Sequence, residues 1–160
     1  MTGYWRRFAF IYAALMLGAL AAAYASAQER DPKKLPPGPA RDRHELMEGV
    51  GKNAEKIGNS MKAGKPGDAA EPAEAIAGVM DRFVTLFPPG STDPNSRAKP
   101  EIWEQKDKFD DNASQLKAKA LSFAAAARRS GDTSTTSKEM WGACKSCHES
   151  FRFPKPGEKT

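Results

Sequence analysis

Trp141 to Arg152, WGACKSCHESFR, holds both cysteines of the chain, Cys144 and Cys147, and one of its two histidines, His148. Two thiols three positions apart, with an imidazole directly after the second, admit four readings. They could exchange electrons as a dithiol, bind zinc, lie inert beside a surface histidine, or attach and ligate a haem. A thioredoxin-like dithiol expects a βαβ setting, and no segment of this chain alternates apolar and polar residues as a strand does. A structural zinc site needs about four ligands. Beyond these three residues only the remote His44 is available, and the adjacent Cys147 and His148 are awkward partners on one ion.

On a helix, residues at i and i+3 share a face and i+4 lies one turn along it. Cys144 and Cys147 therefore present both sulfurs to one edge of a porphyrin, where its two vinyl groups lie. His148 stands ready to offer a neutral ring nitrogen to the iron. C-x-x-C-H is the signature of c-type haem attachment, and it explains why the rest of the chain carries so little chemistry. A haem brings its own reactivity, and the protein has only to hold, ligate and tune it.

The elements that must position this pentapeptide follow from the rest of the 160-residue sequence. Met1–Arg7 carries two arginines and no acid, the apolar run FAFIYAALMLGALAAAYA follows, and ASA closes it at Ala25–Ala27. This three-part pattern is expected to be a secretory signal cleaved after Ala27, with no stable membrane insertion afterwards; a retained anchor is the competing reading. The address is then the periplasm, an oxidising compartment where c-type haems are attached. A disulfide between two cysteines so close in sequence would close a very small loop and stabilise little.

Gln28–Ala40 is rich in proline and charge without an apolar period, and it reads as an extended, mobile leader. From Arg41 to Phe153 the pattern is helical. Met47, Val50, Ala54, Ile57 and Met61 stripe a first helix over about Arg41–Ala63, which Gly64 caps. Ile76, Met80, Phe83 and Phe87 stripe a second over about Asp68–Phe87, which Pro88, Pro89 and Gly90 stop. A third runs from about Pro100 to Arg129, and a fourth from about Ser134 to Arg152 with N-capping side chains among Asp132–Thr136. Residues 154–160 form a tail. Four helices of similar length on short loops predict an all-α, antiparallel up-down-up-down four-helix bundle.

Loss of the signal removes two arginines, so the net charge falls from +5 to +3 over the remaining 133 residues. The charges are interspersed, with no dense basic block and no interleaved aromatics, so the sequence lends little support to a nucleic-acid interface and none is expected. The basic balance suits an acidic partner protein, with Lys145 beside the motif one candidate for steering it and an ordinary solvated lysine otherwise.

The position of C-x-x-C-H near the C-terminus, on the last of four helices, resembles the class II cytochromes c, the cytochrome c prime family and its low-spin relatives. RHELM at Arg43–Met47, PEIW at Pro100–Trp103, KFD at Lys108–Asp110 and ACKSCHESFR at Ala143–Arg152 carry the resemblance. It implies one covalent haem c inside a bundle, with Cys144 and Cys147 as thioether anchors and His148 as the axial iron ligand. It also implies Arg43 and His44 on the haem propionate side. Met47 falls where the family places its distal residue. In the low-spin branch a methionine there is the sixth ligand, giving a His/Met iron for electron transfer. In cytochromes c prime proper an apolar residue blocks the position, leaving a five-coordinate iron that takes up nitric oxide or carbon monoxide. The text around Met47 looks more like the low-spin branch. A core methionine is the plain alternative, and His44 competes poorly because it faces away by helical phase. The expected protein is an electron carrier rather than an enzyme, serving redox partner proteins as a monomer or homodimer.

Overall fold

The computed structural model describes residues 30–129, 132–155 and 157–158. The expected signal segment, residues 1–27, lies outside the described residues. Four long helices carry the fold: α1 (Pro39–Lys62), α2 (Ala70–Thr85), α3 (Lys106–Arg128) and α4 (Thr133–Phe151). Among the described residues there is no strand, only one isolated antiparallel bridge between Ala98 and Arg152.

Local chemistry sets the ends. Pro39 occupies the first turn of α1, where its missing N–H costs nothing. Gly64 takes φ +68°, the left-handed conformation that follows a helix end, as its type predicted. Asp132 caps α4 by accepting the Ser134 N–H at 2.8 Å.

Neighbours in sequence pack as neighbours in space, α1 on α2, α2 on α3 and α3 on α4. The α2–α3 contact is the most extensive. Its small residues, Ala73 and Ala77 on one helix and Ala120, Ala124 and Ala127 on the other, are all buried and let the two backbones approach closely. The core divides into two clusters. One gathers Ile57, Met80, Phe123 and Met140; the other joins Phe83, Phe87, Ile102, Phe109 and Phe151. In the second, Phe109 has its ring centroid 4.7 Å from that of Phe87 and 5.3 Å from that of Phe151, both edge-on. The bundle is open where α1 faces α4, since these two helices make few close approaches.

Three expectations need correction. The third helix is not continuous from Pro100: a single turn, Glu101–Glu104, is separated from α3 by Gln105 at φ −123°, ψ 49°. In an unbroken helix Trp103 would stand about 240° around the axis from Phe109, at about 100° per residue. The break lets Trp103 lie against Phe87, centroids 5.9 Å apart, and donate its indole N–H to the Pro88 carbonyl at 3.0 Å. The second helix begins as a 3-10 turn, Pro66–Ala69, and ends at Thr85, so Phe87 reaches the core from the loop. The described part of the leader is not free of the domain either, because Leu35 is buried to 1% exposure.

Candidate functional site

A cleft opens between α1 and α4, with a cavity volume of about 140 Å³ and a mouth open to solvent. Cys144, Cys147 and His148 line it from α4; Arg43, His44, Met47 and Val50 line it from α1. The structure thus brings every predicted site residue to one cavity.

The periodicity of α4 explains its contribution. Met140 and Ala143 are buried on the face that looks inward, and Cys144 and Cys147 continue that face toward the cleft. Cys144 packs against the Ile57–Met140 cluster and Cys147 against the Phe83–Phe109 cluster, so the motif bridges both halves of the core. Met47 is the α1 residue that touches both clusters.

Both thiols are free. Desolvation raises Cys144, and it pushes Cys147 up to about 11, with the neighbouring sulfur adding to it. A redox dithiol uses a thiol depressed toward neutrality, and burial here moves both thiols the other way. Among the described residues no three His, Cys, Asp or Glu groups converge as a metal set.

His148 is lowered to about 4, first by desolvation and then by the positive charge of Arg152, with Glu158 opposing and Arg97 and Lys155 reinforcing. The His148 residue is nevertheless exposed to solvent on its outer side. The three cations act in the same direction, and the ring is neutral at pH 7, with a lone pair to offer.

Arg43 does something the sequence did not predict. It is 4% exposed, and its guanidinium donates to the Leu86 carbonyl at 3.2 Å, the Ser91 carbonyl at 2.7 Å and the Ser91 hydroxyl at 3.2 Å. It also stacks over Phe87 at 4.8 Å. It therefore ties α1 to the loop after α2, with only Nε left unpartnered. Burial lowers its pKa, partly offset by Asp93. His44 lies 3.6 Å from Glu48 one turn along α1.

Two cleft residues escaped the sequence reading. Arg97 and Arg152 both line the cavity, and each keeps a buried donor without a partner, Nη1 and Nε respectively. Arg152 follows His148 by one helical turn, which was the available signal; Arg97 stands in a loop and gave none.

These residues suit a covalent haem. Two protonated thiols and a neutral imidazole share a largely apolar cleft, and unpaired guanidinium donors provide for its two carboxylates. The model of the family described as Cytochrome C' matches residues 39–152, from the start of α1 to just past α4. The chain belongs to the cytochrome c' family. It is 41% identical over 91 residues to the cytochrome c' of Pararhodospirillum photometricum, covering 53% of this chain and 70% of that one. It is 32% identical over 120 residues to the cytochrome c-554 of Cereibacter sphaeroides, covering 69% and 89%. The solved cytochrome c' of Rhodopseudomonas palustris superposes with a TM-score of 0.64 at 27% identity, over 76% of this chain and all of that one. This cytochrome c' family member is accordingly a four-helix-bundle protein with covalent haem c and its iron. No helix among the described residues is long and apolar enough to cross a membrane.

Proposed function

We propose that this protein is an exported electron carrier whose haem iron is held between His148 and Met47. The observation that carries it is the meeting of α1 and α4 on one cleft, with a neutral imidazole from one and a thioether from the other. When bound, the haem supplies an iron that changes oxidation state and can accept a small ligand.

The chain's own residues do the rest. Cys144 and Cys147 form the thioether links. The adjacent His148 gives its lone pair, and Met47 offers a soft sulfur of the kind that raises a haem's potential. Arg97 and Arg152 would meet the carboxylates, and apolar side chains wall the cleft. Exposed lysines, Lys33, Lys34 and Lys145, favour an acidic partner and a salt-dependent encounter. Lys145 also lies 3.6 Å from Glu149, which tempers its share.

A second reading follows the name of the Pararhodospirillum photometricum relative. In it Met47 walls the cavity without binding, and the five-coordinate iron takes up nitric oxide or carbon monoxide; the packing of Met47 against both apolar clusters suits that role too.

One experiment separates them. The chain is expressed in a host that matures c-type cytochromes, and its mass and reduced visible spectrum are recorded with and without carbon monoxide. A mass increased by one haem, a sharp split band and no response to the gas support the carrier. A broad band that shifts with carbon monoxide supports the second reading. A colourless protein of bare polypeptide mass overturns both.

A further inference from the structure

The family match begins at residue 39, yet the residues just before it are secured to three separate parts of the bundle. The Arg30 guanidinium lies 3.9 Å from the centroid of the Phe153 ring, beyond the end of α4. It also donates to the Ser96 carbonyl at 2.9 Å and the Pro94 carbonyl at 3.4 Å, in the loop before α3. Asp31 caps the 3-10 turn Pro32–Lys34 by accepting the Lys33 N–H at 3.1 Å. Leu35 is fully buried, and its carbonyl is held by Arg41 in the first turn of α1. Gly38, at φ +134°, then turns the chain into the helix, a conformation few other residues accept.

These anchors have a common destination. Pro32 and Leu35 line the same cleft as Cys147 and His148. The start of α1, the 94–98 loop and the exit of α4 all meet at this end of the bundle, where the bridge between Ala98 and Arg152 joins the last two. An apolar side chain in an otherwise polar, proline-rich segment is buried here because the cleft offers it an apolar wall.

We propose that Arg30–Gly38 is a strap that covers the cleft at this end and shields the haem edge from water and small solutes. The inference rests on the haem assignment and is independent of whether Met47 binds iron. A covered edge exchanges electrons slowly with small reagents, because they cannot approach it closely. The prolines favour this work: they fix φ and lower the entropy lost when the segment is held in place.

The test uses the haem-loaded full chain, Leu35→Ala, Arg30→Ala and a chain beginning at Pro37. Each reduced protein is oxidised by benzoquinone, a small neutral reagent that is insensitive to the charge changes, and second-order rates are compared after correction for measured midpoint potentials. Leu121→Ala, at an exposed site on α3 outside the cleft, serves as the control. The strap predicts rates raised several-fold in the shortened chain, less in Leu35→Ala and Arg30→Ala, and unchanged in the control. Equal rates in haem-replete, folded variants would overturn it. Should the shortened chain not fold, the two point variants decide alone. A wild-type chain that takes up no haem counts instead against the haem assignment, and mass spectrometry distinguishes that failure.

Discussion

Met47 on α1 and His148 on α4 wall the same cleft, from two helices that scarcely touch each other. Replacing Met47 with alanine should convert a low-spin iron to high-spin, visible as loss of the split reduced band and a new response to carbon monoxide. Met47→Leu should do the same while keeping the volume filled, which separates ligation from packing. An unaltered spectrum in both variants favours the gas-binding reading.

Arg43 is a clamp between α1 and the loop that follows α2. Arg43→Ala would leave the Leu86 and Ser91 carbonyls short of a donor in a partly buried setting. A loss of about 2–4 kcal/mol is expected, since hydrogen bonds to a charged group contribute about 1.5–3 kcal/mol and orphaned acceptors add to the loss. Denaturant unfolding measures it. A change within about 0.5 kcal/mol, the usual range for a surface site, would show that the clamp does not stabilise the fold.

Phe109 stands at the centre of the aromatic cluster, in edge-on contact with Phe87 and Phe151 and tilted against Phe83 at 5.8 Å. Truncation to alanine is expected to cost about 3–5 kcal/mol, the usual range for a buried phenylalanine. Because Cys147 packs on the same cluster, the variant should also blur the haem spectrum, whereas an equally destabilising change remote from the cleft should not.

Glu158 is held down to about 2 by its hydrogen bond to Arg152 and by the Lys155 N–H. A carboxylate whose folded value lies below its ordinary 4.5 stabilises fully above about pH 4.5, and that stabilisation is lost as pH falls toward 2. The melting temperatures of wild type and Glu158→Gln should therefore differ near neutrality and converge in acid. Glu158 is exposed and Arg152 only partly covered, so the difference should be small and should shrink further at high salt. A gap that persists at pH 2 would mean that Glu158 acts through something other than its charge.

How much was legible depended on how local each feature is. The C-x-x-C-H pentapeptide could be read without a structure because one helical turn fixes how its side chains face. The stripes through Met80, Phe83, Phe123 and Ala127 foretold buried positions, and Gly64 and Asp132 foretold helix ends, since caps are decided within a few residues. The break at Gln105 left no local mark: it arises from Trp103 reaching a loop carbonyl 15 positions earlier. Leu35 looked like a stray leucine in a polar leader because its partners are contributed by helices it precedes.

Sequence alone determined the bundle class, the two sulfurs and the imidazole on one face, and the haem they imply, because periodicity and i, i+3, i+4 spacing are properties of a single helix. Tertiary structure decided which residues share the cavity with them. It spent Arg43 on a loop, left donors on Arg97 and Arg152 free within the cleft, and laid residues 30–38 across its end. Those outcomes depend on contacts between segments dozens of residues apart, and such contacts exist only once the helices have packed.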